Sequence, residues 1–188
     1  GEPRHLVFSA QGLREGIIYD DLPEARRKDD PLQAAAADIA RHFGRFARLG
    51  PGLARWTEPL FKSEPKAERR LREAACLLSD IGWVDHPDYR AQLVFERALT
   101  MPLPGLDHPA RAFIAHGLHA RYEDEAGNKL RKTGGALGLS EEAMARARAV
   151  GQAIRLGYTI ATGREDSLAR TSLAAGEKLL ILGVPRLD

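Results

Sequence analysis

The fold is decided by a nine-residue stretch near the middle of the chain, Ala75-Cys76-Leu77-Leu78-Ser79-Asp80-Ile81-Gly82-Trp83. Its apolar residues follow a helical period, and the polar residues and glycine after them are typical of a helix end. Working outward, the pattern predicts one helix over residues 66–81 with Gly82 as its C-cap. Its buried face is predicted to hold Leu71, Ala74, Ala75 and Leu78.

The same periodicity predicts helices on both sides of this stretch. Residues 13–22 have near-helical apolar spacing, and Asp30-Pro31 starts a helix that Gly50-Pro51 stops. The buried stripe of that helix is predicted to be Leu32, Ala35, Ala36, Ile39, Phe43 and Phe46. A further helix, interrupted by Pro59, buries Leu53, Trp56, Leu60 and Phe61.

Three more helices have clear start signals. Residues 87–100 follow His86-Pro87, Asp107-His108-Pro109 starts a helix, and Ser140 caps a long one. That long helix is predicted to bury Met144, Ala147, Val150, Ile154 and Tyr158.

The remaining segments are not predicted to be helical. Residues 6–8 suggest a short strand, and the polar, glycine-containing residues 123–138 suggest an exposed loop. Residues 168–174 and 178–182 suggest a β-hairpin that turns at Ala175-Gly176-Glu177. The sequence therefore predicts a mainly α fold, a bundle of about seven helices with a small terminal β-hairpin.

Composition narrows the function classes. The 188 residues hold 28 Lys and Arg, 22 of them Arg, against 26 Asp and Glu, so the formal net charge is only +2. This balance does not favour nucleic acid as a partner, and no apolar run reaches the ~20 residues of a membrane span. The arginine excess suits carboxylate or phosphate recognition. A single cysteine, Cys76, forms no internal disulfide, so a reducing cytoplasm is the expected location.

Few residues in the sequence are candidates for catalysis. No glycine-rich phosphate loop is present, and Cys76 lies among apolar helix residues, which favours core packing over a reactive thiol. His116 and His119 are three residues apart on one helix and could face one metal ion. Because no third ligand has a clear register, a surface or partly buried pair is favoured.

The stretch Leu78-Ser79-Asp80-Ile81-Gly82 resembles the HD-domain signature, Leu-Leu-His-Asp-Ile-Gly in its usual form, whose His-Asp pair binds metal for phosphohydrolysis. Ser79 replaces the histidine here, and Asp80 alone cannot hold a divalent ion. The resemblance implies an HD-like helical scaffold without its metal site. Ser79 and Asp80 are then expected to cap the helix end or hold the turn that follows.

A second resemblance covers nearly the whole chain. It rests on residues 7–16 (Val-Phe-Ser-Ala-Gln-Gly-Leu-Arg-Glu-Gly), 78–83, 86–90 (His-Pro-Asp-Tyr-Arg), 105–109 (Gly-Leu-Asp-His-Pro) and 154–157 (Ile-Arg-Leu-Gly). In this order they resemble the Ppx/GppA family of exopolyphosphatases and guanosine pentaphosphate phosphohydrolases. The resemblance implies a fragment of a longer protein. Its parts would be residues 1–12 as the end of an actin-like catalytic region, 13–163 as the HD-like domain and 164–188 as a hairpin appendage.

In this family the metal carboxylates and the catalytic glutamate lie in the actin-like lobes, which would precede Gly1. Some members keep histidine at the positions matched here by Ser79, Gln92 and Tyr122. The resemblance therefore implies no catalytic residue, metal ligand or cofactor in this chain and an inactive fragment, while Mg²⁺ serves the full-length hydrolase.

The resemblance implies that the parent enzyme removes terminal phosphate from inorganic polyphosphate. This domain would bind the polyphosphate chain, form a homodimer and contact its own N-terminal catalytic lobes, with neither nucleic acid nor membrane as a partner. The candidate polyphosphate-binding residues are Arg90, Arg111, Arg121, Arg155, Arg164, Lys129, Arg131 and Lys132. Lys129, Arg131 and Lys132 would form a mobile clamp in the predicted loop.

Three alternatives stay open at this point. The parent could be a guanosine pentaphosphate phosphohydrolase, because both substrates present a terminal phosphoanhydride. An independent HD-type metal phosphohydrolase would need ligands at Ser79, Asp80, Gln92 and Tyr122. A purely structural module would bind no ligand. Whichever alternative holds, the apolar surroundings of Trp56 and Trp83 are candidate interfaces for an oligomer.

Overall fold

The computed structural model describes residues 12–124, 127–176 and 179–185. Within these residues lie the α-helices α1 Leu13–Asp20, α2 Glu24–Arg27, α3 Pro31–Phe43, α4 Leu49–Thr57, α5 Lys66–Leu77, α6 Pro87–Thr100, α7 His108–Tyr122, α8 Asn128–Ala136, α9 Glu141–Ala161 and α10 Glu165–Ala169. Short 3-10 helices at Glu58–Leu60 and Leu78–Asp80 extend α4 and α5, and strands β1 Ser172–Ala175 and β2 Leu180–Gly183 form a hairpin. The mainly helical fold with a small hairpin is confirmed.

Contacts divide the chain into two units between Asp30 and Pro31. In the first unit the Tyr19 hydroxyl donates to the Arg27 carbonyl at 2.9 Å, which ties α1 to the end of α2. The helical spacing predicted for residues 13–22 is confirmed by α1, although Leu13, Ile17 and Ile18 are exposed. The predicted strand at residues 6–8 lies outside the described residues, and the domain boundaries implied by the resemblance stay a prediction.

Helix α7 is the centre of the second unit. It packs along α9 on one side and α6 on the other, with α5 also in contact. Gly151 of α9 permits this approach, because a Cβ there would collide with the Gly117 carbonyl of α7. All residues from Ala112 to Arg121 are buried, so α7 supplies both hydrophobic clusters of the unit.

The first cluster packs α4, α7 and α9 together through side chains such as Leu53, Phe113 and Ile154. The second packs α3, α5 and α6 against the opposite face of α7, through Leu32, Val94 and others. Cys76 is fully buried in the first cluster, as predicted, and burial raises the pKa of its thiol to about 12. Its thiol therefore stays protonated and unreactive.

Local start signals located three helices well. The predicted bounds of α6 are confirmed at both ends. The Asp107 side chain caps α7 by accepting the Ala110 N–H at 2.8 Å, and Ser140 caps α9 by accepting the Ala143 N–H at 3.1 Å. Such caps depend on residues only three apart, so a sequence pattern is enough to find them.

Two predictions around α3 are wrong. Gly50-Pro51 does not stop a helix but lies in the first turn of α4, where a proline has no N–H to lose. Phe43 is not in the buried stripe; it is 64% exposed at the end of α3, because the helix ends there and the chain turns.

The predicted exposed loop at residues 123–138 is also wrong. Residues Asn128–Ala136 form α8, which buries Leu130 in the second hydrophobic cluster. One buried leucine anchors an otherwise polar helix, and this tertiary contact is not visible in a local pattern. Lys129, Arg131 and Lys132 therefore lie on a helix and not in a mobile loop.

Two smaller predictions also change. The first hairpin strand does not begin at Leu168, which is buried within α10; β1 pairs with β2 only from Ser172, with Leu173 opposite Leu182. Gly82 does not end a helix in the left-handed conformation. It is needed for another reason, since a Cβ there would collide with Val94 of α6.

None of the helices in the described ranges is long and apolar enough to cross a membrane.

Candidate functional site

The HD-like position lies in the 3-10 helix that ends α5. Ser79 and Asp80 are buried, with 1% and 3% of their surfaces exposed. The Ser79 hydroxyl donates to the Cys76 carbonyl at 2.6 Å and lies 3.2 Å from the Tyr158 hydroxyl. The first hydrogen bond adds a side-chain donor to a carbonyl in the last turn of α5, so Ser79 lies at the helix end as predicted.

Asp80 does something different from the prediction. Its Oδ2 accepts the backbone N–H groups of Arg45 and Phe46, both at 2.8 Å. These residues lie in the turn between α3 and α4, so Asp80 does not hold the turn that directly follows it. A buried carboxylate with two amide donors pins this distant turn to the end of α5.

The cation that faces Asp80 is a guanidinium. Arg121 of α7 is 8% exposed, and its Nη2 donates to Asp80 Oδ1 at 3.3 Å. The guanidinium lies 3.9 Å from the centre of the Tyr158 ring and 4.3 Å from that of Tyr122. Burial lowers the pKa of Arg121, while Tyr158 and Asp80 oppose that shift.

These residues do not fit a divalent metal ion. The Asp80 carboxylate already faces the Arg121 guanidinium, and a second cation beside it would be repelled. Gln92, at one of the matched positions, donates its amide to Glu96 of the same helix at 2.6 Å. Nowhere in the described ranges do three histidine, cysteine or carboxylate side chains meet as metal ligands.

The pinned turn forms one wall of an open groove of about 830 Å³ between α3, α4 and Gly163. Its cations are Arg41 of α3 together with Arg45 and Arg48 of the turn, against a single carboxylate, Glu165. Its floor is apolar, with Ala37, Ala40 and Leu77 among the residues that line it. A basic rim over an apolar floor is suited to an extended anion.

The three arginines of the groove differ in their contacts. The Arg45 guanidinium stacks 4.2 Å from the Phe46 ring centre and 5.6 Å from that of Trp83, which holds it in place. Arg41 pairs with Asp38 at 2.6 Å. In the part of the chain that the structure describes, neither Arg45 nor Arg48 has a carboxylate partner. Two guanidinium groups are therefore free for an incoming anion.

Three of the predicted cations instead hold the protein together. Arg90 donates to the carbonyls of Asp85 at 2.7 Å and Trp83 at 3.2 Å. Arg111 donates to Met101 at 2.6 Å and Leu103 at 3.0 Å, capping the end of α6, and burial lowers its pKa. Arg121 is the partner of Asp80.

The other five candidates are more exposed. Arg164 pairs with Asp166 at 2.7 Å, and Arg131 pairs with Glu141 at 2.9 Å. Lys129, Lys132 and Arg155 are exposed, and none of them has an ion pair among the described residues. The structure brings Lys129, Arg131 and Lys132 onto α8, but none of the eight candidates lines the groove.

The groove arginines are not among the binding residues predicted from the sequence. A signal was present, because Arg41-His42-Phe43-Gly44-Arg45-Phe46-Ala47-Arg48 places three arginines and two aromatic residues within eight positions. The apolar period of α3 was extended through this stretch, which assigned Phe43 and Phe46 to a buried stripe. The break in the helix after Phe43 turns the arginines outward instead.

Comparison with known protein families gives one match. The family model described as "Exopolyphosphatase, C-terminal" matches residues 33–185. None of the curated proteins matches this chain.

Proposed function

The chain belongs to the exopolyphosphatase C-terminal domain family, and from that membership we propose that it holds inorganic polyphosphate for the parent enzyme. The observation that carries this proposal is the groove of Arg41, Arg45 and Arg48. The groove offers an excess of positive charge, an open length and two guanidinium groups that have no carboxylate partner among the residues that the structure describes.

Polyphosphate suits such a surface because it is a flexible chain with about one negative charge per phosphate. A guanidinium grips two phosphate oxygens at once, so a few arginines give both affinity and direction. The bond-breaking step belongs to the actin-like lobes of the parent hydrolase, with Mg²⁺ supplying charge stabilisation there. This chain contributes substrate retention, and its own N-terminal lobes are the proposed partner.

The exposed cations Lys129, Lys132 and Arg155 form a second, weaker set of contacts in this proposal. They share the chemistry of the groove arginines but line no common cavity with them. Arg90, Arg111 and Arg121 are engaged with carbonyls or Asp80, so their removal is expected to affect folding before binding.

The experiment is titration of the full chain with long-chain polyphosphate over a salt series, comparing two double variants. Arg45→Gln/Arg48→Gln removes the groove guanidinium groups. Lys62→Gln/Lys66→Gln removes the same charge from exposed positions outside the groove. We expect the groove variant to weaken binding and to reduce the salt slope by about one unit per lost contact, whereas the control keeps the parent slope.

Equal loss in both variants would contradict the groove as the binding surface. Absence of saturable binding at low salt would contradict polyphosphate retention by this chain. Guanosine pentaphosphate serves as a competitor in the same titration. Preferential competition by this nucleotide would favour a guanosine pentaphosphate phosphohydrolase as the parent.

We extend the proposal to a homodimer. Trp83, Val84 and Tyr89 are 40%, 64% and 65% exposed around the start of α6, which supports an interface there. Trp56, the other tryptophan considered, is only 7% exposed and bonds to Thr171, so it is a core residue. Light scattering of the chain and of Val84→Ser/Tyr89→Ser tests this: the parent should show twice the monomer mass and the variant the monomer mass. A monomeric parent would contradict the dimer.

A further inference from the structure

A separate cavity of about 270 Å³ lies between α7, α8 and α9. Its lining includes His116 and His119 of α7, Arg131 of α8, and Glu141, Met144 and Arg148 of α9. None of these residues lines the groove of the proposed function. Since a water molecule occupies about 30 Å³, the cavity has room for a ligand of several heavy atoms.

The two histidines are buried, which corrects the prediction of a surface or partly buried pair. His116 is 5% exposed and His119 is 3% exposed, and both rings pack nearly at right angles against the ring of Phe95 of α6, with ring centres 5.1 Å and 6.3 Å away. Burial lowers the pKa of His116 to about 4 and also lowers the pKa of His119. Both rings are therefore neutral at pH 7, and each can donate one N–H. The Nε2 of His119 lies 3.6 Å from the exposed Glu123 carboxylate, a weak contact that a ligand oxygen can replace.

His116 has an unused nitrogen. Its Nε2 is buried and has no hydrogen-bond partner within the described part of the chain. A buried polar atom without a partner costs free energy. A ligand with an oxygen at this position would supply the missing hydrogen bond.

The rim of the cavity carries two ion pairs that a ligand can replace. Arg131 lies 2.9 Å from Glu141, and Arg148 lies 3.2 Å from Asp124. All four side chains are about half exposed or more, and exposed pairs of this kind are weak. An anion that enters the cavity can therefore exchange with the carboxylates and take both guanidinium groups.

We propose that this cavity binds a small phosphoryl anion, with Arg131 and Arg148 gripping its oxygens at the rim and His116 and His119 donating to it from below. The anion is either free orthophosphate or the terminal phosphoryl group of a polyphosphate chain. This site is separate from the groove, and only its assignment to the end of a polyphosphate chain rests on the proposed function.

The test follows the histidine ring signals of the full chain by NMR during titration with orthophosphate. Arg148→Gln removes a rim guanidinium, and Arg170→Gln removes an exposed guanidinium that lines neither the cavity nor the groove. We expect Arg148→Gln to weaken orthophosphate binding about tenfold or more and Arg170→Gln to leave it unchanged. Asp124→Asn removes a competing carboxylate and should tighten binding.

Tripolyphosphate separates the two sources of the anion. Competition between tripolyphosphate and orthophosphate for the same histidine shifts assigns the site to a chain end. Lack of competition assigns it to free orthophosphate. The proposal is overturned if orthophosphate produces no saturable histidine shifts, or if Arg148→Gln and Arg170→Gln weaken binding equally.

Discussion

Asp80 is a buried carboxylate with partners on both of its oxygens. One oxygen faces a cation. Here the cation is the Arg121 guanidinium, and the remaining oxygen holds the amides of Arg45 and Phe46. The Asp80 charge therefore orients the turn that carries the groove arginines. We expect both the free energy of unfolding and the binding of an anion in the groove to depend on this charge.

Replacement of Asp80 by asparagine tests this dependence. Asp80→Asn keeps the shape but removes the charge and presents an amide to Arg121. Because it leaves the buried guanidinium unpaired, we expect the free energy of unfolding to fall by about 3–5 kcal/mol. Urea denaturation measures this change. The control is Asp88→Asn, because the Asp88 side chain is 75% exposed, and its free energy of unfolding should stay within about 0.5 kcal/mol of that of the parent protein. A loss below 1 kcal/mol for Asp80→Asn would contradict the anchoring role.

His116 gives the stability a defined pH dependence. Its pKa is about 4 in the folded chain, chiefly through burial and then through the charge of His119, against about 6.5 when unfolded. The unfolded state therefore binds more protons between these values, so stability is complete above pH 6.5 and falls as the pH drops towards 4. The limiting slope is about 1.4 kcal/mol per pH unit for each proton.

Thermal denaturation between pH 7 and 5 measures this slope, and His116→Gln supplies the comparison. The variant lacks the titrating ring, so its melting temperature should change less with pH across that window. Equal slopes for both proteins would show that His116 does not cause the acid loss.

At the scale of elements, a buried ion pair joins the segment before α5 to α5 itself. Glu64 precedes α5, Arg72 lies within it, and both side chains are 1% exposed. Arg72 Nε and Nη2 donate to Glu64 Oε1 at 2.8 Å and 2.6 Å, and Nη1 donates to the Ala54 carbonyl of α4 at 2.7 Å. Arg146 of α9 reaches the other oxygen of Glu64 at 3.1 Å. The Glu64 carboxylate thus links α5 to α9, and Arg72 extends the connection to α4.

Removal of one member of this ion pair should destabilise the protein much more than removal of both members together. We expect Glu64→Leu to lower the free energy of unfolding by about 3–5 kcal/mol, because a buried guanidinium loses its partner. The double variant Glu64→Leu/Arg72→Met should recover part of that loss. A double-mutant cycle by urea denaturation measures the coupling, and simple additivity of the two changes would contradict it.

The elements that sequence predicted well are those with local signals. The starts of α6, α7 and α9 follow from Pro87, Asp107 and Ser140, whose capping geometry spans only a few residues. Helix α8 was missed because its stability comes from one buried leucine and not from a periodic face. The buried ion pair of Arg72 was missed for a related reason: its partner Glu64 lies outside the helix, so the pattern of α5 alone does not show it.

The candidate site also has a part that local sequence patterns predict and a part that depends on contacts between distant residues. The HD-like position was located from a short local motif, but its contacts with Arg45 and Phe46 cross 35 and 34 residues of sequence respectively. No local pattern distinguishes a binding arginine from a structural one among the 22 in the sequence. Burial and pairing make that distinction, because a guanidinium that is buried like Arg121, or engaged with carbonyls like Arg111, is not exposed to a ligand.

For the whole molecule, the placement of charge matters more than its total. A net charge of +2 over 188 residues predicts little attraction to a polyanion. Within the groove, three arginines face one glutamate, so the local field is positive even though the protein is nearly neutral. Two variants with the same net charge should therefore differ in polyphosphate binding.

Glu165→Gln and Glu142→Gln form such a pair. Each neutralises one exposed glutamate in the first turn of a helix, α10 and α9 respectively, so their charge and dipole effects match. Glu165 lines the groove and Glu142 does not. We expect Glu165→Gln to tighten polyphosphate binding about twofold to fivefold at low salt, since exposed charges contribute up to about 1 kcal/mol. Glu142→Gln should leave the affinity unchanged. Equal tightening in both variants would mean that polyphosphate binding depends on the net charge alone, and it would contradict the groove as the binding surface.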